Sequence, residues 1–212
     1  MDMTDSAVKK MPRWAQIVSD VCSPLLLPTY AMALAMWITP LRVLPESNRL
    51  VATAMVAVLT ALVPCLAIMI LFRLGKVSDR ALSNRRQRIL PFSFVIVCYG
   101  CAAWMLHGIG APMWLSMFFA GGAAACLVDM IITLWWKISA HATAAGGLTG
   151  MVTWFAVSGL ADIGAMLWLS GVILLSGLIG SARIELGRHT FAQVAAGFFV
   201  GLAATFGLMC IH

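Results

Sequence analysis

The chain has 212 residues, 62% of them hydrophobic and 10% charged, with a formal net charge of +6 and a mean hydropathy of +0.96. So little polar surface excludes a soluble globule. At about 20 residues per helical crossing, the length allows six to seven transmembrane helices and no sizeable soluble domain.

The expected fold class is therefore all-α, a polytopic membrane helix bundle whose first partner is the lipid bilayer; nothing points to nucleic acid. Residues 1–21 form a polar, interfacial N-terminal segment, in which Lys9, Lys10 and Arg13 followed by Trp14 suit a helix lying among lipid headgroups. Residues 22–212 form a single transmembrane domain. Its first span covers about 22–44 and is interrupted by Pro24, Pro28 and Pro40. Small residues at Ala31, Ala33 and Ala35 after a basic start also suit a cleaved leader, but nothing soluble follows for it to export, and the segment is read as retained.

The later spans fall at about 50–73, 91–109, 113–136, 142–161, 164–182 and 190–211, with tight hairpins at 108–113 and 161–164. Gly146 with Gly150, and Gly197 with Gly201, are small-xxx-small pairs of the kind that lets helices approach closely in lipid, and are read as bundle packing. All six cysteines lie in apolar stretches and are read as small hydrophobes. Cys98 and Cys101 have ligand-like spacing, but no second pair and no nearby histidine completes a metal site.

Parity organises the polar residues. Two spans separate the basic 73–90 loop from Lys137–His141, and two more separate that from Arg183–His189, so all three stretches emerge on one membrane face. Of the 14 Lys and Arg residues, all but Arg42 and Arg49 accompany these stretches or the N-terminus. Read by the positive-inside rule, this places the site in the cytoplasm, as in a bacterial inner membrane. A phosphate site would gather cations on either face, so sidedness stays open.

Two histidines among cations, without a carboxylate cluster, argue against a magnesium or calcium site, and neither metal nor any other cofactor is expected. Guanidinium forks match phosphate oxygens bidentately, and a neutral imidazole is a good nucleophile toward a phosphoryl group neutralised by such forks. A second imidazole can protonate the leaving alkoxide. Metal-independent phosphoryl transfer is the expected chemistry.

These residues resemble the type-2 phosphatidic acid phosphatase superfamily of membrane lipid phosphatases. Arg183 and His189 keep the Arg, five residues, His spacing of its third signature, and Ile138-Ser139-Ala140-His141 resembles its second, Pro-Ser-Gly-His. The first is echoed by Lys76, Arg85, Arg88 and Pro91, so that the resemblance spans 76–197. It implies that His189 attacks phosphorus to form a phosphohistidine, that His141 is the general acid and then the base, and that Arg183, Arg85 and Arg88 clamp the phosphate. The backbone near Ser139 would add donors, and Lys76, Lys137 and Arg188 are weaker candidates.

The chain departs from the family pattern at several positions. Gln193 stands where the family has the aspartate that orients the nucleophile, Ala182 replaces the serine before the arginine, and Ala140 replaces the glycine before the second histidine. No arginine directly precedes Pro91, and seven apolar segments stand against the family's six helices. An amide oxygen can hold the imidazole tautomer, but it stabilises imidazolium less than a carboxylate does.

The expected function is hydrolysis of a phosphomonoester or pyrophosphate of a membrane lipid, with phosphatidate, phosphatidylglycerophosphate and prenyl pyrophosphate as candidates. A non-hydrolytic lipid-phosphate binder or carrier, and a lipid phosphotransferase, are the alternatives. Asp129, about two turns inside the fourth span, can pair with a site arginine, supply the missing carboxylate, or lie neutral and hydrogen-bonded within the bundle, and the structural reading is preferred. No oligomeric state follows from the sequence.

Overall fold

The computed structural model describes residues 12–76, 85–161 and 164–211, and there is no strand among them. In chain order the helices are α1 (Arg13–Val21), α2 (Leu27–Ile38), α3 (Glu46–Ala57), α4 (Val63–Arg73), α5 (Ile89–Gly108), α6 (Met113–Thr133), α7 (Ala140–Ser158), α8 (Ala165–Glu185) and α9 (Phe191–Met209). Short 3-10 turns at Pro40–Val43 and Arg85–Arg88 join them. The architecture is the all-α bundle expected of a multi-pass membrane protein.

Five helices among the described residues are long and apolar enough to cross a bilayer: the continuous Glu46–Arg73 rod, α5, α6, α8 and α9. The difference from six or seven lies in two segments. The span expected over 22–44 is helical only from Leu27 to Ile38, and 12 residues rise about 18 Å, short of a hydrocarbon core of about 30 Å. α7 equals α9 in length, at 19 residues, but is rich in Gly, Ala and Thr. It packs against α2, α6, α8 and α9, so its sides meet protein rather than lipid and need little apolar surface of their own.

The rod from Glu46 to Arg73 contains a proline in mid-course. Pro64 has no N–H to continue the helical ladder, and the chain absorbs this by widening to a π turn at Val58–Leu62, where the Val63 N–H reaches back to the Val58 carbonyl. At the end of the bundle away from the basic stretches, Trp114 stacks on Trp154 at 6.0 Å and meets Phe155 edge-on at 5.2 Å.

α7 and α9 meet through their glycines. A Cβ on Gly146 would overlap the Phe198 carbonyl, and one on Gly201 the Thr143 carbonyl. Gly150 and Gly197 are similarly close to Leu202 and Ser139, with 2.9 and 2.7 Å left for an added Cβ. The two small-xxx-small pairs thus face each other and bring backbone onto backbone, where dispersion and weak Cα–H contacts replace the hydrophobic effect that lipid cannot supply. This contact sets the first turn of α7 beside the first turn of α9.

Candidate functional site

Polar side chains from several elements line one cavity of about 400 Å³. Ser19 and Asp20 come from α1, Arg88 from the turn before α5, and Asp129 from α6; Lys137, His141 and Thr143 come from α7 and the loop before it. Arg183, Arg188 and His189 come from the α8–α9 corner. The rest of the wall is apolar, including Leu27, Phe92, Val95, Phe118, Phe119 and Leu148. The three polar stretches separated in sequence thus share one chamber.

The α8–α9 corner is built by a helix stop signal. Gly187 takes φ +63°, the left-handed conformation that glycine adopts at no steric cost. Its N–H bonds to the Ile184 carbonyl at 2.8 Å, and the Arg188 N–H to that of Arg183 at 3.1 Å, which is a Schellman ending. The His189 N–H reaches the same Arg183 carbonyl at 3.3 Å. The Arg, five residues, His spacing is therefore a physical clasp, in which the backbone of the candidate nucleophile is bonded to the backbone of the candidate phosphate ligand.

α9 then starts with a capping box. The Thr190 hydroxyl accepts the Gln193 N–H at 3.4 Å, and Gln193 Oε1 accepts the Thr190 N–H at 3.3 Å. The same Oε1 lies 3.1 Å from His189 Nδ1. Because a backbone N–H can only donate, it fixes which end of the amide faces the ring; Nδ1 is then the protonated nitrogen, and the lone pair sits on Nε2. Gln193 thus fixes the tautomer of His189 while capping its own helix.

His189 is buried, at 7% exposure. Burial, and then the charges of Arg183, Arg88 and Lys137, push its pKa down to about 3, partly countered by Gln193. The ring is neutral at physiological pH, as a nucleophile requires. Lys137 is also shifted down, by burial and by Arg88, Arg183 and Arg188. Its Nζ donates to the Arg188 carbonyl at 2.7 Å and so holds the corner that carries His189.

His141 sits in the first turn of α7, and Ser19 of α1 meets it. Nε2 lies 3.0 Å from the Ser19 carbonyl and 3.2 Å from the Ser19 hydroxyl. A carbonyl only accepts, so Nε2 carries the proton. The Ser19 hydroxyl also accepts from Arg183 Nη1 at 2.6 Å. The Arg183 Nε, by contrast, is buried with no hydrogen-bond acceptor among the described residues. A buried guanidinium donor left unfilled is costly, and Arg183 itself lines the cavity.

The remaining expected residues divide. Arg88 is buried, and its Nη1 donates to the Ile138 carbonyl at 3.2 Å, tying the turn before α5 to the start of α7. Ser139 does not reach the cavity: it is fully buried as the N-cap of α7, its hydroxyl accepting the Ala142 N–H at 3.4 Å. Lys76 is exposed beyond the end of α4 and does not line the chamber. The Arg85 side chain lies outside the described residues, as do Lys9 and Lys10.

Asp129 lies inside the bundle. It is 1% exposed, the Thr143 hydroxyl is the side chain that hydrogen-bonds toward it, and Arg88 acts on it by charge. Ser19 was absent from the sequence reading because a serine in an interfacial helix carries no signal of its own. The capping box, Thr190-Phe191-Ala192-Gln193, was legible as a motif before an apolar run.

No protein-family model matches the chain, and neither a curated protein nor a solved structure does.

Proposed function

We propose that the chain is a metal-independent phosphatase acting on the phosphate headgroup of a membrane lipid. The observation that carries this reading is the cavity itself, in which a neutral imidazole with its Nε2 lone pair available and a buried, unfilled arginine donor share one chamber with apolar walls. Cations hold the phosphoryl group, and the apolar wall takes the hydrocarbon.

His189 Nε2 attacks phosphorus while the bond to the lipid oxygen breaks. Arg183, Arg88 and Lys137 offset the charge on the phosphoryl oxygens. Bound phosphate cancels part of the positive field around His141, which then takes a proton from solvent and passes it to the leaving alkoxide. Water next attacks the phosphohistidine, its proton goes to His141, and inorganic phosphate leaves. Gln193 holds His189 in the reactive tautomer throughout. The site is proposed to face the cytoplasm of a bacterial inner membrane, because the cations gather at that end.

One observation favours a second reading, a lipid-phosphate binder that does not turn over: the orienting group on His189 is an amide, which stabilises the phosphoimidazolium less than a carboxylate would. Purified protein in detergent with a lipid phosphate and chelator separates the two. Release of inorganic phosphate, blocked by vanadate and reduced about a thousandfold or more in His189→Ala, is the result expected of the phosphatase. Lipid-phosphate binding with no release, in protein that remains folded, would establish the binder instead.

A further inference from the structure

The chamber has a polar end and an apolar end, and the apolar end is blind. Tyr99 on α5, Phe118 on α6 and Leu148 on α7 line it. One turn farther from the cations the same helices present Ala102, Leu115 and Met151, each 0% exposed and packed in the core. Each of these walls therefore passes from cavity to core within a single turn. Linked aromatic rings form the floor: Phe118 meets Phe119 edge-on at 4.9 Å, and Phe119 meets Tyr99 in the same way at 6.5 Å.

This floor is held from two sides. The Tyr99 hydroxyl donates to the Pro24 carbonyl at 3.3 Å, which fastens α5 to the segment before α2. Gly122, one turn of α6 from Phe118, makes room for the Tyr99 ring, since a Cβ there would come within 2.7 Å of it. An interior packed in this way yields little to an added methylene.

The depth follows from helix rise. From Arg88 to Tyr99 on α5, and from Asp129 to Phe118 on α6, the wall runs about three turns, roughly 16 Å. An extended alkyl chain, with C–C bonds of about 1.5 Å and angles near 111°, advances about 1.25 Å per carbon. The path from the cations to the floor thus fits about twelve carbons in a straight line. A longer chain has to fold back, and a shorter one leaves part of the slot empty; each loses contacts that the bilayer would have supplied.

We infer that the apolar end is a length-gauging slot for one straight hydrocarbon chain, with Phe118 as its stop and an optimum near twelve carbons counted from the phosphate. The inference rests on the lipid-phosphate reading of the chamber and narrows it by tail length, whatever backbone carries the tail.

The test uses the full-length protein in lipid discs with straight-chain alkyl phosphonates from octyl to octadecyl, whose C–P bond resists hydrolysis, competed against tritiated dodecylphosphonate. Each ligand is expressed as its mole fraction in the bilayer, so that the tail moves between two apolar surroundings and length alone confers no advantage. The expected affinity peaks near the dodecyl chain and is about tenfold or more weaker for the octadecyl chain. Phe118→Ala deepens the slot and moves the peak to chains about three carbons longer or more. Ala144 lines the same cavity one turn of α7 below His141. Ala144→Leu places a branched side chain across the slot and moves the peak to shorter chains.

An affinity independent of chain length in the native protein would overturn the inference, as would a peak that stays in place in either folded variant. If Phe118→Ala does not fold, the native series and Ala144→Leu decide. Phosphate release from the matching alkyl phosphates separates this inference from the phosphatase reading: a binding peak without release sinks the hydrolysis alone, and release at a rate indifferent to length sinks the slot alone.

Discussion

α9 and the Glu46–Arg73 rod bury the same share of their most apolar stretch, 17% in each, yet they are held in different ways. α9 buries Gly197, Gly201, Thr205 and Met209, a stripe at four-residue spacing that sits on the backbones of α6 and α7. The rod buries Val56, Thr60 and Pro64, also at four-residue spacing, while Leu62, Val63, Leu66 and Ile70 remain exposed. What distinguishes them is how close the neighbouring backbone comes. In lipid, where exposed leucine carries no penalty, small residues in register determine which helix is structural and which is a peripheral wall.

The largest effect expected from this contrast is on fold. Gly201→Val puts two methyl groups into the Thr143 carbonyl region, and a loss of more than about 3 kcal/mol is expected, seen as aggregation or a lost thermal transition in detergent. Gly177→Val on α8, where an added Cβ meets nothing within 4 Å, is expected to stay within about 1 kcal/mol of the native protein. Equal tolerance at both sites would dismiss backbone contact as the organising feature.

Gln193 comes next, at the first turn of the same helix. Gln193→Leu removes the acceptor for His189 Nδ1 and half of the capping box, and is expected to lower turnover about a hundredfold while costing about 1 kcal/mol of stability. Gln193→Glu keeps the cap and adds a negative charge beside the ring. It should raise the His189 pKa and move the acid limb of the pH profile upward, the opposite sign to the native shift. An unchanged profile in Gln193→Glu would show that this side chain does not govern the ring.

The pH response of the native site is smaller but has a definite sign. His189 is held at about 3 against an ordinary 6.5, so between those values the unfolded chain binds a proton that the folded chain refuses. Its contribution to stability is therefore complete above pH 6.5 and is lost as pH falls toward 3. Ring NMR signals of His189 should not move between about pH 8 and 5 in the empty protein, and saturating vanadate should raise the pKa by cancelling the cationic field. Titration near 6.5 without ligand would contradict the burial of this ring. The smallest effect belongs to the peripheral wall: Ile70→Ala on α4, 56% exposed, should alter stability by less than about 0.5 kcal/mol in thermal melts.

Much of this was legible in the sequence because the signals were periodic or paired. Hydropathy placed five crossing helices, and parity placed Arg88, Lys137, His141, Arg183 and His189 at one end. The first span was overextended because proline-broken apolar runs look alike whether they cross or stop; only the backbone shows that Leu27–Ile38 is too short. α7 was found by the same hydropathy that ranks it below its neighbours, a sign that it lies inside the bundle. Ser139 looked like a ligand because a serine before a helix suits an anion site and an N-cap equally well, and here the cap has the hydroxyl. Ser19 depends on contacts with His141 and Arg183, more than a hundred residues away, which no local pattern encodes.

Ser19 fills with a protein hydroxyl the place beside Arg183 where an arriving anion would otherwise displace water. Headgroup capture and the seating of α1 on α8 then compete for one donor, and by reciprocity each weakens the other. With Trp14, Ile17 and Val21 turned outward, the hold of the bilayer surface on that short helix enters the same equilibrium, so an affinity measured in micelles and one measured in a membrane would differ by the work of lifting a helix of nine residues.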